Sequence, residues 1–237
     1  ATAFGFIFRA FIMHDWGNQF GLSKTQQGEI FGVGFWPFGI SIVFFSLIID
    51  KIGYKKSMVF AFVCHIVSVV ITIFATGYWM LFAGTFLFAL GNGAVEAVVN
   101  PVVATMFPKE KTKWLNVLHA GWPAGMVVGG LLGIFMINQH FPWQLIIGFV
   151  LVPAIIYGWI IAKRTFPVNE RVEAGVSYLE MLKEVGILGA LIIAALCSFQ
   201  LGSLFQWSFT VSIIITLALT GRSEERRVGK ECLRLCR

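Results

Sequence analysis

Long apolar runs broken by short polar segments dominate the chain. The first covers Ala1 to about Trp16, the second Glu29 to Ile49, the third Ser57 to Ala75 and the fourth Trp79 to Met106. A fifth covers Leu115 to Ile137 and a sixth Trp143 to Ile161. After a polar stretch, the run from Val185 to Leu219 is long enough for a seventh and the start of an eighth. A helix needs about 20 mostly apolar residues to cross the hydrocarbon core. The runs are continuous rather than alternating, which argues against a membrane barrel. Lipid offers the backbone no hydrogen bonds, so unbroken runs at that depth are helices. The pattern predicts an all-α polytopic membrane protein.

Composition agrees. Of 237 residues, 57% are hydrophobic and 13% charged, with 24 Phe and 8 Trp. A soluble domain carries roughly 25% charged residues to cover its surface. The net charge of +6 divides in two: residues Arg222 to Arg237 hold six basic residues and three Glu, leaving twelve basic against nine acidic residues elsewhere. Residues 222–232, RSEERRVGKEC, back-translate to a common synthetic sequencing adapter, so this tail is expected to be an artefact outside the fold. Without it, no clustered basic face remains for nucleic acid. Cys64 and Cys197 lie inside apolar runs and read as small core residues rather than a disulfide or metal pair. The chain opens within an apolar run without Met and reads as a fragment with a truncated first helix.

Loop charges set the orientation. Lys51, Lys55 and Lys56 follow span two, Lys109, Lys111 and Lys113 follow span four, and Lys163 and Arg164 follow span six. The segments 75–79 and 138–143 carry no Lys or Arg. Basic loops stay in the cytoplasm, so spans two, four and six run inward. The expected organisation is a six-helix bundle over 1–162, a cytoplasmic linker over 163–184 with an amphipathic helix near 177–184, and the start of a second bundle over 185–221. Two six-helix halves are the plan of many secondary transporters. Such a protein belongs in the cell membrane, multi-pass, and is expected to be a monomer when complete.

The turn Asp50-Lys-Ile-Gly53-Tyr-Lys55-Lys56 joins spans two and three. Gly53 can take the positive φ a short reversal wants. Asp50 ends a helix, where the local dipole does not favour a carboxylate, so it needs partners outside that helix. By itself this is also what a charged loop obeying the positive-inside rule looks like. The D-x-x-G-x-K-K spacing resembles the signature of the major facilitator superfamily, with Ser46 where Gly is common and Tyr54 where Arg is common. The resemblance implies a six-helix amino-terminal half plus the start of the second half, with Asp50, Gly53 and Lys55 in a gate that latches the halves.

Span four carries Glu96, within GNGAVEAVVNP. An ionised, unpaired carboxylate at membrane depth costs at least about 2.5 kcal/mol, and protonation lowers that cost. Glu96 is therefore either a proton carrier or a residue satisfied by a polar neighbour. Asn92 and Asn100 stand four residues to either side and predict a polar stripe. Pro101 breaks the hydrogen-bond ladder beside it. The stripe suits a substrate path, although Asn also serves as glue between helices.

In span five, Gly121, Gly125, Gly129 and Gly133 recur every four residues, a strip on which another helix can pack closely. Asn116, His119 and Trp122 flank it. His119 is either a hydrogen-bonding residue or a proton carrier, and Trp122 either packs or offers a flat face to a sugar ring. Arg9 either lies at membrane depth, pairing with Glu96 or an anionic substrate, or snorkels to the interface.

The E-x-x-x-N-P stretch from Glu96 to Pro101, followed by Leu115-Asn116-x-x-His119 and a glycine-rich helix, resembles the fucose–proton symporter family over about residues 20–165. There the fifth-helix segment reads L-N-x-x-Q; here His119 replaces Gln and Trp122 stands where a polar residue is expected. The resemblance implies proton coupling at Glu96 and a solute site along span five. No H-E-x-x-H, G-x-S-x-G or P-loop motif occurs, and neither enzyme chemistry nor a cofactor is expected. The partners expected are a small polar solute, protons and lipid. The reading is proton-coupled uptake of a sugar or similar solute. The alternatives are a facilitator or antiporter for another small organic solute, and a membrane binding protein that does not transport.

Overall fold

The computed structural model describes residues 1–168, 170–175, 186–205 and 207–220. Residues 1–170 form one compact unit, and the residues from 171 onward a second. In the first, the helices are α1 (Thr2–Phe20), α2 (Lys24–Gly32), α3 (Trp36–Ile52), α4 (Tyr54–Ile73), α5 (Tyr78–Met106), α6 (Lys111–Asn138), α7 (Trp143–Gly148) and α8 (Leu151–Lys163), with a short α9 (Glu170–Glu173) at the unit boundary. The second contains α10 (Gly186–Phe205) and a shorter apolar helix, α11 (Phe209–Thr220), in place of one continuous run. No strand occurs among the described residues. The expected amphipathic helix near 177–184 and the tail beyond 220 lie outside them.

Among the described residues, five segments are long and apolar enough to cross a membrane: Lys24–Ile52, Tyr54–Ile73, Tyr78–Met106, Lys111–Asn138 and Trp143–Lys163. The chain is a multi-pass membrane protein. Two of these spans are broken where continuous helices were expected. Pro37 has no N–H to give the Val33 carbonyl, and residues 33–35 close instead with the tighter bonds Gly34 N–H to Phe31 O and Phe35 N–H to Gly32 O. Pro153 likewise cannot bond Phe149, and α7 and α8 meet at Phe149 and Val150. At the reversal between α3 and α4, Gly53 has φ 83°, where a side chain would be strained.

α5 is the hub of this unit, packing on α3 and α4 most extensively and on α1, α2 and α6 as well. Lipid is as apolar as Leu, so close packing and internal hydrogen bonds must hold these helices together. The glycine strip of α6 provides the first. A side chain at Gly125 would come within 2.9 Å of Ala3, one at Gly129 within 3.0 Å of Ile7, and one at Gly133 within 2.8 Å of Phe11. α1 therefore sits directly on the α6 backbone. A side chain at Gly121 would meet nothing within 4 Å.

The hydrogen bonds lie along α4. His65, Ser68 and Thr72 are fully buried, at spacings of three and four that place them on one face. His65 bonds Asn92 Oδ1 of α5 at 2.9 Å through Nε2, and the Tyr157 hydroxyl of α8 at 2.7 Å through Nδ1. The Ser68 hydroxyl donates to the Gly84 carbonyl of α5 at 2.6 Å and accepts from Arg9 Nη2 of α1 at 2.8 Å. One helix face thus ties three others.

Two consequences are measurable by thermal unfolding of the full-length protein in detergent. His65→Leu leaves the buried Asn92 and the part-buried Tyr157 without this partner and should destabilise by about 1–3 kcal/mol; an unchanged melting temperature would show that the network holds nothing. Gly133→Val overpacks the α1–α6 contact and should destabilise by about 1–3 kcal/mol, whereas Gly28→Ala, where nothing lies within 4 Å, should be neutral. Equal effects at the two glycines would contradict the packing described.

Candidate functional site

Glu96 stands ten residues before the C-terminal end of α5, roughly 15 Å along the helix axis. Its Oε1 accepts from Asn100 Nδ2 at 3.0 Å, and the same Nδ2 reaches the Glu96 carbonyl at 3.1 Å. This side-chain bond straddles the point where Pro101 leaves the Ala97 carbonyl without its ladder partner. Across from it, His119 Nδ1 of α6 lies 3.7 Å from Glu96 Oε1. Pro123, inside α6, releases the carbonyl of His119 in the same way. Each side of the pair is therefore a helix loosened by proline.

Glu96 and His119 line a cleft of about 250 Å³ between the start of α1, α5 and α6, together with Trp122, Gly121 and Gly125. The carboxylate side chain is 32% exposed and the imidazole 57% exposed, both toward a space that solute-sized groups can enter. A carboxylate and an imidazole side by side in one cleft can each bond a polar solute.

The remaining candidates are distributed differently. Asn92 is buried against His65, so the expected single stripe of Asn92, Glu96 and Asn100 divides: Asn92 turns into the bundle, and Glu96 faces the cleft. Asn116 is exposed one turn before His119, outside the cleft lining. Arg9 is only 3% exposed and lies inside the bundle, so it does not snorkel. Nor does it pair with Glu96: its polar partners are the Gly5 carbonyl at 2.9 Å and Ser68, and its guanidinium lies 4.2 Å from the Phe88 ring centroid. Asp50 occupies the last turn of α3, and Gly53 makes the turn. Lys55 Nζ donates to the Ala162 carbonyl at 3.4 Å, a cation at the last turn of α8. His65, Ser68, Tyr157 and Pro123 were not among the expected residues. Polar side chains at helical spacing inside an apolar run were the available signal for His65 and Ser68.

A family model described as the Major Facilitator Superfamily matches residues 1–221. Among similar proteins, a gentisate transporter of Corynebacterium glutamicum is 24% identical over 160 residues, covering 66% of this chain and 36% of its own. A niacin transporter, NiaP, of Acinetobacter baylyi is 26% identical over 156 residues, 65% of this chain and 35% of its own. A hexuronate transporter of Bacillus subtilis is 28% identical over 145 residues, 59% of this chain and 33% of its own. The chain spans about a third of the length of these relatives. These names speak for transport rather than catalysis. With a family match over nearly its whole length and five membrane-length helices, the chain belongs to the Major Facilitator Superfamily.

Proposed function

We propose that the full-length protein is a secondary transporter of the cell membrane that takes up a small polar solute together with protons. The observation that carries this is the Glu96–His119 pair, 3.7 Å apart across a cleft at membrane depth. While the cleft is open, Glu96 exchanges protons with water. Closing it over an ionised carboxylate would strand a charge in a low-dielectric space. Protonation removes that charge, and His119 and Asn100 offer the carboxylate partners when it is ionised. Reorientation is then favoured in the protonated form, which couples solute movement to the proton gradient.

The likeness to the fucose–proton symporters, carried by Glu96, Asn100, Pro101, Asn116 and His119, supports a sugar as the solute, with Trp122 as its flat platform. The relatives' names widen this to small organic acids, since gentisate, niacin and hexuronate all bear a carboxylate. In this reading the turn of Asp50, Gly53 and Lys55 is the cytoplasmic latch, and a second helical half completes a monomeric carrier.

A facilitator or antiporter is the second reading, favoured by the Asn100 bond that already satisfies Glu96. The two part in vesicles containing the full-length protein. Glu96→Gln should abolish solute accumulation driven by a pH gradient while solute exchange persists. Undiminished accumulation would remove Glu96 from the coupling step.

A further inference from the structure

The first turn of α4 and the last turn of α8 meet at the end of the bundle that the loop charges assign to the cytoplasm. We propose that this corner binds the phosphate headgroup of an anionic phospholipid from the facing leaflet, with an acyl chain lying along α8. The corner shares no residue with the Glu96 cleft, and the inference goes beyond the transport reading.

Phe62 of α4 sits directly against Gly158 of α8 and meets the Tyr157 ring edge to face. Towards the cytoplasmic end of this seam, Lys55 Nζ donates to the Ala162 carbonyl at 3.4 Å. The next residue, Lys163, holds its ammonium 4.1 Å from the Trp159 ring centroid. Phe166 then packs back against the cluster of Ile49, Tyr54 and Ile161, which keeps the chain after α8 beside α4. Lys56 and Arg164 are exposed at the same corner. Among the described residues no carboxylate pairs with any of these four cations, and the partners of Lys55 and Lys163 are neutral. The basic loop between α5 and α6 differs, because there Lys113 is paired with Glu110 at 3.0 Å. Like charges gathered at one corner repel, and an anion among them relieves that repulsion.

The surface leading to these cations is apolar. Val152, Ile155, Ile156 and Trp159 are all about half exposed or more and share one face of α8 with Lys163, at spacings of three and four. Along that face the order is aliphatic side chains, then an amphipathic ring, then a cation. A phospholipid has the matching order of acyl chain, interfacial ester and phosphate, and anionic headgroups favour basic sites between helices on the cytoplasmic side. Orientation of the loops alone calls for cations at this end, but not for their attachment to a lipid-facing stripe. A soluble anion would use the cations and leave the stripe unused; an anionic lipid uses both.

The test is equilibrium binding of radiolabelled phosphatidylglycerol to the purified full-length protein in a neutral detergent, against phosphatidylcholine with the same acyl chains. Phosphatidylglycerol should bind about tenfold more tightly, the preference expected of two cations near one headgroup. The double variant Lys55→Gln, Lys163→Gln should erase that preference. Lys113→Gln, in the other basic loop, should keep it. Glycerol phosphate, which carries the charge without the chains, should fail to displace the bound lipid at concentrations where phosphatidylglycerol does. Equal affinity for the two lipids overturns the inference, as does a preference that survives the double substitution or is lost equally in Lys113→Gln. Displacement by glycerol phosphate as effective as by lipid would assign the corner to a soluble anion and overturn it too. Binding in detergent needs neither solute nor gradient, so such a result leaves the role of Glu96 to be judged by accumulation alone.

Discussion

A bilayer offers no hydrogen bonds, so each polar group carried to membrane depth must find a partner in the protein or in a water-filled cavity. The helix arrangement follows from that demand. Ser68 is its centre: one hydroxyl accepts from Arg9 of α1 and donates to the backbone of α5. One turn away, His65 joins α5 to α8. Such bonds contribute about 1 kcal/mol each, but leaving their members unpaired would cost more, and that difference specifies which helices meet.

Glu96 is the exception that makes a site. His65, Ser68 and Asn92 are met inside the bundle, whereas Glu96, bonded by Asn100, also opens onto a cleft. The same helix supplies both outcomes: Asn92 turns toward His65, and Glu96, four residues on, turns toward His119. α1 is held tightly against α6 at Gly125, Gly129 and Gly133, and the cleft lies beside that contact. Prolines on either side, Pro101 and Pro123, leave the two flanking helices with fewer ladder bonds to break when they bend.

Much of this fold was legible in the chain. Continuous apolar runs located the spans, and the four-residue glycine repeat located a helix-packing face. The breaks at residues 33–35 and 149–150 were hidden because hydropathy averages over a proline that still lies in an apolar stretch. At the site, Glu96, His119 and Trp122 stood out by polarity or size, but their meeting across α5 and α6 is tertiary and has no local trace. Arg9 was ambiguous for the same reason. Its environment is set by Ser68 and Phe88, which lie far along the chain. The asparagine repeat misled, since residues at four-residue spacing drift around the helix, and a polar neighbour such as His65 can claim one of them.

The central claim is that position 96 faces a water-filled cleft inside the bundle. It is tested most directly by placing Glu96→Cys in a cysteine-free form of the full-length protein and reacting it, in membranes, with a charged thiol reagent. Val128→Cys, on an exposed apolar stretch of α6, is the comparison. The account predicts rapid modification at 96 and none at 128. An inert thiol at 96, or equal reaction at both positions, would contradict it.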